Sequence, residues 1–274
     1  MNRKLIFLDI DNTLTPAGGY EPPESALRVI KRARELGHKV FLCSGRNYGM
    51  VEPLLEYGFD GGIASCGGYV FAGDDVLYDC PLTEEQKNKV IDLLSKAGVI
   101  LSIEAKDYTY NDEMDKELIR RAEAGDSLLI GMIRAVWINL GPRTMAEYDG
   151  RPIYKIVFVC SAPDQLDAAK AELGDELMFI LHDFSEPDCY FGEIINRKFN
   201  KGTAVQVVAD ALGFETADTI GFGDSSIDIE MIEAVGTSVC MGNGSDYLKD
   251  RSDLVCPAVD EDGIEWAFRK LGLV

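Results

Sequence analysis

Long hydrophobic runs are missing from this chain. No stretch approaches the roughly 20 apolar residues that a membrane-spanning helix needs. The segment before Asp9, residues 1–7, is too short for a secretory signal. The sequence therefore predicts a cytoplasmic protein with no membrane partner. Basic residues are also scarce: 27 Lys and Arg face 47 Asp and Glu, for a net charge of −20. Binding a phosphate backbone requires Lys and Arg to displace counterions, so a nucleic-acid partner is excluded. Only two histidines occur, His38 and His182, and both read as structural. The seven cysteines are odd in number and include no Cys-x-x-Cys pair, which argues against a disulfide framework or a zinc site. Most of them sit in apolar runs, as buried thiols of a reducing compartment do. Low-complexity tracts and internal repeats are absent.

What is present is a chain of 274 residues, 46% hydrophobic, long enough for more than one domain and able to bury a full core. Residues 4–8 form a short apolar run ending in carboxylates, which reads as a buried strand. A helical pattern over 21–36 follows, then a strand over 39–43, a helical stretch over 48–57 and a strand over 62–65. This β-α-β-α-β order implies a parallel sheet with right-handed crossovers. The C-terminal part repeats it, with a helix over 201–212, a strand over 219–222, a helix over 225–234, a strand over 237–241 and a helix over 261–271.

The middle is less regular. A β-hairpin around Gly73, Asp74 and Asp75 leads to a helix over 83–96. Strand-like runs over 99–103, 153–160 and 178–181 alternate with helical patterns near 112–124 and 163–173. The expected fold class is α/β. A doubly wound, Rossmann-like parallel sheet core comprises residues 1–81 and 189–274, and an α+β domain over 82–188 is inserted into it.

In an open parallel sheet, ligands bind beyond the carboxyl ends of the strands. Reactive groups fall at four such places: Asp9 with Asp11, Ser44, Asp224, and the loop before the helix that begins at Lys201. Two carboxylates at i and i+2 repel unless a cation lies between them or one is protonated. With Asp224 they make a hard-oxygen set suited to Mg²⁺, which also lets an acidic protein hold an anionic phosphate.

The segment Asp9-Ile10-Asp11-Asn12-Thr13-Leu14 resembles the Asp-x-Asp-x-Thr nucleophile motif of the haloacid dehalogenase superfamily. Cys43-Ser44-Gly45-Arg46 resembles its second motif, Asn200-Lys201-Gly202 its third, and Gly223-Asp224 with Asp228 its acidic fourth. Met241-Gly242-Asn243 and Asp262-Gly263-Ile264 fit the Cof-type branch (subfamily IIB), whose α/β cap lies between motifs two and three. Any one motif is weak, and four in order are strong.

The resemblance implies a Mg²⁺-dependent phosphohydrolase acting on phosphomonoesters of a small, sugar-phosphate-like metabolite. Asp9 is then the nucleophile that forms an aspartyl-phosphate, and Asp11 the general acid and base. Asp9, the Asp11 carbonyl and Asp224 hold the metal. Ser44, the Gly45 amide and Lys201 contact the phosphoryl group. Asp228 orients Lys201 or waters of the metal, and Thr13 braces the motif-one turn. Lys198 is a decoy for Lys201 that lacks the following Gly, and Ser44 could also act as a helix N-cap.

One position departs from the family. Ile227 stands where the Cof-type pattern has a phosphate-contacting Asn, so that donor is absent or supplied elsewhere, with Asn243 as a candidate. Asn12, where Gly is commonest, tolerates a left-handed turn. Two alternatives stay open: a phosphomutase of the phosphomannomutase type, and a non-catalytic binding module. A mutase would use clustered cap cations, whereas Arg120, Arg121, Arg134, Arg143 and Arg151 are scattered.

Overall fold

The short apolar runs become strands in a computed structural model of the chain, which describes residues 3–114, 116–117, 141–186 and 189–274. The strands are β1 (Leu5–Leu8), β2 (Lys39–Cys43), β3 (Gly61–Ala64), β4 (Tyr69–Ala72), β5 (Asp75–Asp79), β6 (Ile100–Ala105), β7 (Thr109–Tyr110), β8 (Ile153–Cys160), β9 (Leu177–Glu186), β10 (Cys189–Asn196), β11 (Thr219–Gly223), β12 (Thr237–Cys240) and β13 (Leu254–Val255). The described helices are α1 (Glu24–Glu35), α2 (Tyr48–Val51), α3 (Glu84–Lys96), α4 (Asp167–Leu173), α5 (Lys201–Leu212), α6 (Ile229–Ala234), α7 (Asp246–Lys249) and α8 (Gly263–Lys270). They divide between two units, Met1–Asp79 with Phe199–Val274, and Cys80–Lys198.

The first unit is built on an eight-stranded sheet of order β13-β12-β11-β1-β2-β3-β4-β5. β13 to β3 run parallel, and β4 and β5 return antiparallel as the expected hairpin. Every residue of β1 is buried, as expected for a strand covered on both faces. The register fixes where the strand ends fall. Leu8, the last residue of β1, lies opposite Leu42 of β2 and Phe222 of β11. Asp9, Ser44 and Asp224 therefore leave the sheet at nearly one level. The expected helix over 48–57 is split: α2 is capped by Asn47, and Pro53 lies in the 3-10 turn Glu52–Tyr57 that follows.

The second unit is a five-stranded antiparallel sheet of order β7-β6-β8-β10-β9, with α3 and α4 in its hydrophobic cluster. Thr83 and Gln86 form a capping box that starts α3. Residues 189–198, expected in the core, lie in this second unit. The reason is β10, a strand not expected from sequence, which pairs with both β8 and β9. Gly192 interrupts its apolar pattern, yet glycine is required there. A Cβ at that position would lie 2.2 Å from the Ile180 carbonyl oxygen and 2.4 Å from the Phe158 ring. The helical pattern near 112–124 lies largely outside the described residues, as do Arg120, Arg121 and Arg134. Arg151 is engaged by Asp107 and Asp149 at 2.8 and 2.7 Å.

None of the seven cysteines forms a disulfide. His38 is buried and accepts a hydrogen bond from the Lys4 amide through Nδ1. Among the described residues, no helix is long and apolar enough to cross a membrane.

Candidate active site

Lys201 is the first residue of α5, and its placement follows from the residues on either side. Asn200 caps the helix by accepting a hydrogen bond from the Thr203 amide. Gly202 lets α5 pack directly against α6, since a Cβ there would lie 2.3 Å from the Glu230 carbonyl oxygen. The Lys201 side chain is thereby buried, only 2% exposed, whereas Lys198 is exposed. Its ammonium donates to Asp9 Oδ1 at 2.7 Å and to Asp228 Oδ1 at 2.5 Å. The other Asp228 oxygen accepts from the backbone amides of Asp224 and Ser225 at 3.1 and 3.2 Å. Asp228 is fully buried, so it ties the strand-end turn after β11 to Lys201.

The electrostatics are lopsided. Carboxylate oxygens of Asp9, Asp224 and Asp228 lie within 4.8 Å of one another. Burial, then the charge of Asp228, pushes the Asp9 carboxyl up to about 7, with Lys201 opposing. Burial, then the charges of Asp228 and Asp9, pushes Asp224 up to about 9. Burial alone would lower Lys201, but Asp228 and Asp9 outweigh it and hold the ammonium well above the usual lysine value. One ammonium facing three carboxylates leaves an excess of negative charge, which a divalent cation offsets. Asp228 is engaged on both oxygens. Asp224 and the second oxygen of Asp9 are the donors that fit a hard metal ion.

Asp11 does not join this cluster through its side chain. The carboxylate, 36% exposed, receives Arg46 Nη2 at 2.7 Å and Arg46 Nε at 2.9 Å. The Gly18 amide donates to its Oδ1 at 2.7 Å. Asn12, at φ 60°, takes the left-handed conformation expected of it.

The residue that braces the motif-one turn is not the one expected. The Thr15 hydroxyl donates to the carbonyls of Ile10 and Gly19, both at 3.3 Å. The buried Thr13 hydroxyl has no hydrogen-bond partner among the described residues. Asn243 is likewise engaged by the backbone: its amide donates to the Asn12 carbonyl at 2.8 Å, and its oxygen accepts from Val259. It clips the motif-one turn, which is a different task from replacing the family's phosphate-contacting Asn.

Ser44 is buried at the end of β2, and its hydroxyl accepts from the Arg46 amide at 3.1 Å. Asn47, not Ser44, caps α2. Arg46, the last residue of the Cys43-Ser44-Gly45-Arg46 segment, has no expected role from the sequence. Its signal was a cation directly beyond a strand end, opposite the carboxylates of the neighbouring strand.

A family described as haloacid dehalogenase-like hydrolase matches residues 6–268. The chain belongs to this family. It is 30% identical over 275 residues, covering 100% of both chains, to the protein YkrA of Bacillus subtilis (strain 168), which carries the name of a phosphatase. It is 27% identical, over 98% of each chain, to YwtE of the same strain, a 5-amino-6-(5-phospho-D-ribitylamino)uracil phosphatase. Among solved structures it resembles a hypothetical protein from Geobacillus kaustophilus HTA426, with a TM-score of 0.81, 24% identity and 100% coverage of both chains. It also shares its fold with a sugar phosphatase of haloacid dehalogenase subclass IIB, with a TM-score of 0.76, 20% identity and coverage of 99% and 100%. The expectation of an enzyme, a hydrolase of this superfamily with a Rossmann-like core, holds.

Proposed function

We propose that this hydrolase is a Mg²⁺-dependent phosphatase that cleaves phosphomonoesters of small soluble metabolites through an aspartyl-phosphate on Asp9. The observation that carries the reading is the joining of Asp9, Lys201, Asp228 and Asp224 at the carboxyl ends of β1 and β11. Relatives named as phosphatases of phosphorylated metabolites support the substrate class.

Asp9 attacks phosphorus and keeps the phosphoryl group while the alcohol departs, splitting one hard step into two. Asp11 gives the leaving oxygen its proton, then takes one from the attacking water. Ser44 and the Gly45 amide contact the phosphoryl oxygens. Lys201 faces the same centre, where positive charge offsets what develops in transfer. Asp228 keeps the Lys201 ammonium aimed at Asp9. Asp9, Asp224 and the Asp11 carbonyl would hold the metal, which when bound stabilises negative charge on the phosphoryl oxygens. The unit Cys80–Lys198 serves as the cap that selects the substrate.

The test is hydrolysis of an aryl phosphate with and without Mg²⁺, by wild type and Asp9→Asn. Mg²⁺-dependent turnover in wild type alone is expected; equal activity in the two proteins would remove Asp9 as nucleophile.

A further inference from the structure

Arg46 has no part in the scheme above, yet it is placed with unusual care for an arginine. It is 5% exposed, and its guanidinium engages Asp11 through two nitrogens at 2.7 and 2.9 Å. Nη2 also donates to the Gly19 carbonyl at 3.0 Å. The ring of Tyr20 lies against the guanidinium, 4.8 Å from its centroid. Thr15 holds Gly19 in turn, so the loop from Thr15 to Tyr20 and the end of β2 form one cradle. Burial would lower the Arg46 pKa, and the hydrogen bonds to Asp11 more than restore it. Such a group is costly to bury unless it is paired with a fixed partner.

We propose that Arg46 is a positioning residue for proton transfer: it holds the Asp11 carboxylate away from Asp9 and Asp224 and aimed for its acid and base roles. This rests on the assignment of Asp11 as the acid in the proposed function. In the first step the Asp9 oxygen bonds to phosphorus, the bond from phosphorus to the ester oxygen breaks, and the Asp11 proton passes to that oxygen. Asp11 is left as a carboxylate, and Arg46 stands ready to pair with it. In the second step water bonds to phosphorus, the bond to Asp9 breaks, and the water proton returns to Asp11. Without Arg46 the new carboxylate would stand unpaired beside a cluster that already has excess negative charge. The planar fork explains why arginine occupies the position, since a lysine ammonium cannot make the two-point contact.

Leaving groups separate this role from a structural one. An aryl oxide leaves without a proton, whereas an alkyl oxide needs one. General acid catalysis contributes about 10²–10⁴-fold, so its loss falls on the alkyl ester. The experiment measures kcat/KM for p-nitrophenyl phosphate and for an alkyl phosphate, a quantity that reports only steps up to departure of the alcohol. It compares wild type, Arg46→Met, Arg46→Lys, Tyr20→Leu, Asp11→Asn and the double variant of Asp11→Asn with Arg46→Met. Arg46→Met is expected to lose at least about tenfold more on the alkyl than on the aryl ester. Arg46→Lys and Tyr20→Leu should lose less in the same pattern, and the double variant no more than Asp11→Asn. Tyr20→Leu leaves the ion pair chemically intact, so it tests the idea even where Arg46→Met folds poorly. Equal losses on both esters, or additive losses in the double variant, would overturn the role of Arg46. Absence of any leaving-group dependence in Asp11→Asn would instead overturn the acid assignment itself.

Discussion

Among the described residues, two buried lysines each lie between two carboxylates, one in each of the two units. Lys201 sits between Asp9 and Asp228 at the ends of parallel strands. Lys155, 4% exposed, sits between Glu193 at 2.9 Å and Glu104 at 3.3 Å in the middle of the antiparallel sheet. Glu104 lies directly opposite Lys155 in the register of β6 and β8, so one pair is a cross-strand contact. Around Lys201 no strand pairing sets the contacts. A helix start, a strand end and a turn converge there, and a third carboxylate, Asp224, adds charge that nothing in the cluster balances. Both are ion pairs in low dielectric. What distinguishes Lys201 is its position beside the carboxyl ends of the strands and an unbalanced charge.

Substituting each lysine would sharpen that contrast. Lys155→Met leaves Glu104 and Glu193 facing each other in the sheet. It should destabilise the protein by about 3–5 kcal/mol in chemical denaturation, with kcat per folded molecule close to wild type. Lys201→Met should lower kcat by about 10²–10³-fold. A Lys155 variant that folds well but loses activity as Lys201→Met does would break the comparison.

Charge balance gives the next prediction. Mg²⁺ at a hundredfold excess over its Kd should stabilise wild type by about 2.7 kcal/mol in thermal unfolding, and Asp224→Asn should lose most of that shift. No metal shift should appear that depends on Glu104 or Glu193.

The smallest effect lies at a third, partly exposed cluster. Asp60 accepts from Arg34, Lys39 and the Val40 amide. Burial pushes its carboxyl up, but these partners outweigh it and hold it below the usual value. A carboxyl lowered on folding contributes stability that is present above the ordinary carboxylate range and lost as pH falls through the folded value. Solvent screening of the half-exposed Arg34 and Lys39 keeps the effect small, so Asp60→Asn should cost about 0.5–1.5 kcal/mol at pH 7, and the gap from wild type should close in acid.

How much of this was legible in the sequence depends on how local each signal was. β1, β2 and β11 were readable because strands buried on both faces are continuous apolar runs that end abruptly in polar residues. Lys201 was separable from Lys198 because the following glycine marks close packing of the helix start, and the structure supplies the neighbour, Glu230. β10 was not readable, because Gly192 breaks a pattern that only its neighbours on both sides explain. Arg46 and Thr15 were missed for the same reason. Their partners, Asp11 and Gly19, are fixed by how a loop folds back over the strand end, and no periodicity encodes that. Thr13 was a fair choice by motif, but a hydroxyl's partner is set by the turn, and the turn selects Thr15.

The central claim is that Asp9 carries the phosphoryl group. A rapid acid quench of the enzyme turning over a phosphomonoester, followed by mass spectrometry of its peptides, tests this most directly. A phosphoryl adduct on the peptide containing Asp9, absent in Asp9→Asn and most abundant in Asp11→Asn with an aryl phosphate, is the predicted result. Turnover at full rate with no adduct at Asp9, or an adduct on any other residue, would contradict it.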